Sequence, residues 1–251
     1  MQIKHPHGNI KIWIIKGIAS LLSSTIFFVL KFLLGMNANA NEIIISRATY
    51  APWKIELEFK KLYSKLKFLT LLDQPRLFTL FNILKQTNHI EGTILDVGCM
   101  RGGAGILMSK INLKGSTYLI DTFDGFHEEE IYHKKDIFIF KGIKELKKNI
   151  KNYKLKKTYV LKQLFPDKKK LKNIKKLKVC HIDVNTYIST KNSFNYIKNK
   201  MIKGGFIIFD DYGIFGVEQV TRFVNEIKIK EKKNFHFINN YMGQCILIKK
   251  Q

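Results

Sequence analysis

From residue 54 onward the chain alternates two hydrophobic rhythms. Residues 54–68 and 75–87 space Leu, Phe, Tyr and Ile at intervals of three and four, as amphipathic helices do. Short apolar runs then follow at Thr93–Val97, Thr117–Ile120, Thr158–Leu161, Val179–Val184 and Phe206–Phe209. Their length and β-branched content predict strands. Between them, 103–112, 136–151, 189–201 and 215–229 carry helical spacing. A closing pair, Asn234–Ile238 and Gln244–Ile248, leaves no room for a crossover helix and is expected to pair antiparallel. Alternating β and α segments predict a Rossmann-like α/β fold: a mainly parallel seven-stranded sheet with helices on both faces.

Such sheets bind ligands beyond the carboxyl ends of their strands. The first strand runs into Asp96-Val97-Gly98-Cys99-Met100-Arg101-Gly102-Gly103. Glycines there allow a sharp turn and close approach of a ligand, and the following helix opens with free N–H groups. The spacing is not G-x-G-x-x-G, so the dinucleotide fingerprint is absent. Asp96, two before the first glycine, suits a cationic sulfonium better than a pyrophosphate. Asp121 ends the second strand, where a carboxylate accepts ribose hydroxyls; the plainer alternative is a turn or capping residue.

The fourth strand continues His181-Ile182-Asp183-Val184-Asn185, and the fifth ends Phe209-Asp210-Asp211. Adjacent parallel strands bring Asp183, Asp210 and Asp211 to one rim. Three such carboxylates repel one another, and a hard divalent cation such as Mg²⁺ relieves the repulsion with oxygen ligands. No Cys/His cluster supports zinc. The alternative is a set of capping aspartates balanced by lysines. His181, inside an apolar strand, reads as a hydrogen-bonded core residue. His127, after Asp124-Gly125-Phe126, is either an exposed loop residue or a group within reach of the site.

The stretches ILDVGCMRGGAG, LIDTFDGF, HIDVNTYISTKNSF and GGFIIFDDYGIFGVEQV occur in this order with suitable spacing. Together they resemble macrocin O-methyltransferases, the TylF-type family of class I methyltransferases, over roughly residues 57–249. The resemblance implies S-adenosylmethionine as methyl donor, Mg²⁺ as cofactor, a hydroxyl acceptor, often on a sugar, and a homo-oligomer. It implies that Asp183, Asp210 and Asp211 hold the metal and that Gly98, Arg101, Gly102 and Asp121 belong to the cofactor site. One position departs from the pattern. Well-studied family members carry Asp-x-Asp in the fourth-strand motif, with the second Asp as general base, whereas this chain has Asn185, an Asp-x-Asn pattern that also marks a bacterial subgroup. An amide is no useful proton acceptor at neutral pH. His127 is the outside candidate for that role. A cofactor-binding pseudoenzyme or membrane-tethered assembly component is the rival reading, and an NAD-dependent sugar-modifying enzyme a weaker one.

Composition changes this picture in two places. The net charge of +24 arises from 44 Lys and Arg against 20 Asp and Glu. It reads either as attraction to an anionic partner or as compositional bias, since Lys144–Lys157 and Lys168–Lys178 alternate with apolar residues as solvated faces do. No nucleic-acid-binding motif is present, so no nucleic-acid partner is expected. Cys99, Cys180 and Cys245 are far apart and odd in number, which argues against a disulfide framework.

Residues 1–50 form an extension ahead of the methyltransferase domain, 51–251. Within it, residues 12–34 are apolar, interrupted by Lys16 and Lys31, and close to the ~20 residues that a bilayer span needs. Ala38-x-Ala40 resembles a signal-peptidase site. Export, a span, and a helix lying on the inner membrane face or packed on protein compete. The last fits the basic flanks and a cytoplasmic cofactor best. A small-molecule or glycan acceptor is expected, without its identity.

Overall fold

The computed structural model describes residues 51–126, 138–167, 171, 174–214 and 217–251, together with seven helical positions between 18 and 29. The chain divides into two units, residues 1–52 and 53–251. In the first, Ile18, Leu21, Leu22, Thr25, Ile26, Phe28 and Val29 are helical and exposed, and the Thr25 hydroxyl donates to the Leu21 carbonyl at 3.0 Å. Most of the apolar stretch 12–34 lies outside the described residues. No helix among the described residues is long and apolar enough to cross a membrane.

The second unit is a seven-stranded sheet in the order β3-β2-β1-β4-β5-β7-β6. Its strands are β1 (Thr93–Val97), β2 (Thr117–Asp121), β3 (Thr158–Lys162), β4 (Leu177–Ile182), β5 (Met201–Phe209), β6 (Phe235–Asn239) and β7 (Cys245–Lys249). The first five pair in parallel, while β7 pairs antiparallel with both β5 and β6. The helices are α1 (Leu57–Leu66), α2 (Gln74–Thr87), α3 (Gly103–Ile111), α4 (Ile143–Asn152), α5 (Tyr187–Ile197) and α6 (Glu218–Lys230).

Strand side chains alternate between faces, and here both faces are buried. Ile94, Leu119, Val179, Ile208 and Ile246 join the core under α1, α2, α3 and α4. Leu95, Val97, Ile120, Cys180, Ile182, Ile207 and Phe209 join the opposite core under α5 and α6. The same period places Asp96, His181, Asp183 and Asp210 on the first of these faces. They are polar residues at the carboxyl end of an otherwise apolar surface.

The α2 helix is held to that face at both ends. Asp73 caps its start, accepting from the Arg76 N–H at 2.9 Å. At its far end the buried Lys178 of β4 donates to the carbonyls of Ile90, at 2.8 Å, and Thr87, at 3.3 Å. A cation there meets the negative end of the helix dipole.

Two helix expectations change. Helix α4 begins at Ile143 rather than 136, because Phe138 has φ +66°, Ile139 bridges Asp124, and Gly142 forms the cap. Helix α5 ends at Ile197 rather than 201. Met201 is buried and pairs with Leu177, so β5 opens five residues before the expected Phe206.

Candidate active site

The carboxyl ends of β1, β2, β4 and β5 surround a cavity of about 290 Å³. On one side stands the glycine turn after β1. Gly98 has φ +90°, and a Cβ there would lie 1.7 Å from the Asp183 carbonyl oxygen. The turn therefore packs directly on the β4 rim, and only glycine fits. Gly102, at φ +82°, caps α3 without a side chain. Arg101 is exposed and lines the cavity.

Several N–H groups of this turn are taken up within the protein. The amides of Gly98, Cys99, Gly102 and Gly103 donate to the carbonyls of Ile120, Ile120, Cys99 and Leu69. That of Met100 donates to Asp121 Oδ2 at 2.7 Å. The other oxygen of Asp121 accepts from the Phe123 N–H at 2.7 Å. A carboxylate oxygen accepts two hydrogen bonds, so each keeps room for a ligand hydroxyl. Burial raises the Asp121 pKa, against the lowering effect of these two N–H groups.

Asp96 stands beneath the turn. It is fully buried, opposite His181 in the β1–β4 register, and its Oδ1 pairs with His181 Nδ1 at 2.8 Å. His181 Nε2 faces Asp210 Oδ1 at 3.8 Å, beyond hydrogen-bond reach. Burial alone lowers the imidazole pKa. The carboxylates of Asp210 and Asp96 outweigh that and raise it to about 10. His181 is thus a core histidine held between two carboxylates.

Ladder hydrogen bonds carry the acidic rim. The Asp183 N–H donates to the Val97 carbonyl at 2.8 Å, and that of Asp210 to the Ile182 carbonyl at 2.9 Å. Pairing thus extends one residue past each strand and sets the two aspartates side by side. One ligand atom each from His181, Asp183 and Asp210 lies within 4.8 Å of the others. Asp183 and Asp210 supply the oxygen donors of this group and His181 a nitrogen. Burial, then Asp210 and Asp211, raise the Asp183 pKa well above the usual carboxylate range; Asp211 is raised by burial and by Asp210, partly offset by Arg76.

Two partners were not foreseen from sequence. Arg76 Nη1 bridges Asp210 Oδ2 at 2.5 Å and Asp211 Oδ1 at 2.9 Å. Gln244 Nε2 donates to Asp210 Oδ1 at 2.8 Å. Arg76 did leave a signal. An arginine in the first turn of a helix opposes the dipole, and it is out of place there unless carboxylates face it. Gln244 left none. Asn185 sits at φ +59°, with its Oδ1 buried and without a partner. His127 lies outside the described residues.

The set of charges tests whether a metal fits. Burial and mutual repulsion raise the pKa of Asp183 and Asp211 even with Arg76 beside Asp210 and Asp211, and a divalent ion would relieve that repulsion. Oxygen donors suit a hard ion such as Mg²⁺.

Known proteins agree with this architecture. The O-methyltransferase NovP is similar in structure, with a TM-score of 0.63 at 21% identity, over 72% of this chain and 82% of its own. The calicheamicin methyltransferase CalS11 has a TM-score of 0.59 at 13% identity, over 84% and 99%. An O-methyltransferase from Bacillus cereus, solved with SAH, has a TM-score of 0.54 at 13% identity, over 76% and 90%. At these identities the likeness shows the fold. Among curated protein sequences none matches the chain. The family model for macrocin O-methyltransferase (TylF) matches residues 67–241, which include the glycine turn, Asp121 and the whole acidic rim, and the chain belongs to that family.

Proposed function

We propose that this O-methyltransferase methylates a hydroxyl of a sugar, glycan or related small molecule, using S-adenosylmethionine and a Mg²⁺ ion held by Asp183, Asp210 and Asp211. Family membership implies the methyl donor. The observation that carries the metal is the crowding of Asp183, Asp210 and Asp211 on the rim that Gly98 packs against.

The reaction moves a methyl group from sulfonium to oxygen and frees one proton. Much of the catalysis lies in holding donor and acceptor in line, an effect that reaches about 7–11 kcal/mol in well-oriented systems. The Gly98–Gly102 turn lets the donor approach the backbone closely, and Asp121 takes the ribose hydroxyls on its free lone pairs. Asp96 sits below them and fixes His181. A divalent ion in the acidic rim supplies Lewis acidity, which favours the ionised form of an acceptor hydroxyl. Arg76 and Gln244 hold Asp210 in place from outside the rim. Asn185 does not take the acceptor proton, so that proton leaves to water or to another base.

The test is methyl uptake from labelled S-adenosylmethionine, screened over nucleotide sugars and glycan extracts, with Mg²⁺ and with chelator. Uptake that stops in chelator and returns with Mg²⁺ is expected. Turnover unchanged in chelator would remove the metal. Binding of S-adenosylhomocysteine without uptake on any hydroxyl compound would remove the acceptor class.

A further inference from the structure

Charge is sorted along the strand axis of the second unit. The carboxyl ends carry Asp96, Asp121, Asp183, Asp210 and Asp211, whereas the opposite edge of the sheet carries lysines. Lys157, Lys114, Lys176, Lys200 and Lys233 lie at the entries to β3, β2, β4, β5 and β6, and Lys250 follows β7, which runs the other way. Backbone hydrogen bonds set them in one row. The carbonyls of Lys157, Lys114, Lys176 and Lys200 accept from Thr117, Gly92, Thr93 and Leu177, and the Lys250 N–H donates to Asn234, the residue after Lys233. With strands about 4.8 Å apart, the row crosses the sheet over about 29 Å. All six lysines are exposed or half-exposed, and none forms an ion pair among the described residues. By contrast, Lys85, Lys162, Lys198 and Lys230 each meet a carboxylate. Glu91 interrupts the row ahead of β1, and the charge of Glu231 is taken up by Lys198. Compositional bias accounts for the number of lysines, not for the separation of the two signs along the strands.

We propose that this lysine edge is the face by which the domain docks on an anionic lipid bilayer. Large apolar side chains stand exposed beside the lysines: Leu113, next to Lys114, is 73% exposed, and Ile229, in the last turn of α6, is 75% exposed. At a bilayer such side chains enter the acyl boundary, while lysine stems lie along it and hold their ammonium groups at the headgroups. A nucleic acid is bound through arginine forks and stacked aromatic rings. This row is all lysine, and Lys200 covers the ring of Tyr196, 3.2 Å from its centroid. The chain also enters the unit at this end. Glu58, in the first turn of α1, pairs at 2.7 Å with Lys85 in the last turn of α2, the end that Lys178 holds at the start of β4. Ahead of α1 in the sequence lies the apolar stretch 12–34. An apolar signal joined to a polybasic surface anchors more firmly than either alone. Docked by this edge, the domain turns its cavity, at the opposite ends of the strands, to the aqueous side, and takes its acceptor from there.

The test is sedimentation of the full chain with vesicles of phosphatidylcholine, with and without phosphatidylglycerol. The wild-type protein is expected to prefer the anionic vesicles by about 100-fold or more at low salt, and the preference should shrink as salt is raised. A lysine at an anionic surface is worth about fivefold in partitioning. Combining Lys157→Gln, Lys176→Gln and Lys233→Gln is therefore expected to cost about 100-fold of that preference and to leave binding to pure phosphatidylcholine unchanged. Lys67→Gln, Lys141→Gln and Lys144→Gln remove the same charge from exposed positions at the cavity end, and together should change the preference little. A wild-type protein that does not prefer anionic vesicles, or equal losses in the two triple variants, overturns the proposal. So does a nucleic-acid duplex that strips the protein from anionic vesicles at equal phosphate concentration. The wild-type comparison depends on no variant, and none of these readouts depends on the metal or the methyl donor.

Discussion

At the ends of β1 and β2, the polar groups facing the cavity are satisfied largely by backbone amides of the turns themselves. Asp121 receives N–H groups from Phe123, two residues on, and from Met100, 21 residues back. At the ends of β4 and β5, the carboxylates are satisfied by side chains from remote segments. Arg76 reaches Asp210 across 134 residues, and Gln244 reaches it across 34. The nucleoside side is shaped by turn geometry and tolerates little change of backbone. The acidic side is shaped by charge. The two meet where Gly98 lies against the Asp183 carbonyl.

Joining the halves at that contact gives the largest expected effect. Gly98→Ala places a Cβ 1.7 Å from a backbone oxygen at φ +90°. Neither partner is a flexible side chain, so the two rims must part. We expect a loss of about 4 kcal/mol or more, at the severe end for single substitutions, together with loss of cofactor binding. Chemical denaturation measures the first, and a near-wild-type midpoint would break the claim that the rims are packed together.

Removing one carboxylate sharpens the contrast from the acidic side. Asp210→Ala strips Arg76, Gln244 and His181 of a shared partner, leaving Arg76 to Asp211 and His181 to Asp96. Orphaning a buried charge outright costs about 3–5 kcal/mol, and the loss here is expected to be smaller because each cation keeps a carboxylate. Mg²⁺-dependent turnover is expected to vanish, while S-adenosylhomocysteine binding falls much less. Equal loss of both would mean that the two halves are not separable.

Asp121→Ala is the mirror experiment. It removes the proposed ribose acceptor and unpairs two backbone N–H groups. Cofactor affinity should drop about 10- to 100-fold, or roughly 1.4–2.8 kcal/mol. Divalent-ion affinity should change little, and a comparable loss of metal binding in calorimetry would contradict the division of labour.

The acidic side should also respond to pH. Burial and mutual repulsion raise the pKa of Asp183 and Asp211. For an acid, a raised folded pKa favours the protonated fold. That contribution is complete below the unfolded value of 3.8 and is lost as pH rises through the folded value. A bound divalent ion replaces it at high pH, and must displace protons to bind at low pH. The increment in melting temperature caused by Mg²⁺ should therefore be larger at pH 8 than at pH 5.5. Equal increments would argue against these carboxylates as the metal's ligands.

The smallest effect belongs to Asn185→Asp. It adds a carboxylate where well-studied family members carry their base, so turnover should hold or rise by a few-fold. Loss of both metal binding and turnover in this variant would show that position 185 does not correspond to that base.

Local chemistry is what a linear chain displays. Period-2 apolar runs, glycines after a strand and acidic residues at strand ends were enough for the sheet, the turn and the rim. Each depends on residues within a few positions of one another. The antiparallel closing pair followed in the same way, from a connection too short for a crossover. What tertiary structure alone decided is which charges meet. The register of β1 on β4 sets Asp96 against His181, and the seat of α2 on the sheet carries Arg76 to Asp210 and Asp211. Such pairs depend on distances between distant segments, and Coulomb energy and hydrogen bonding act on those distances rather than on sequence spacing.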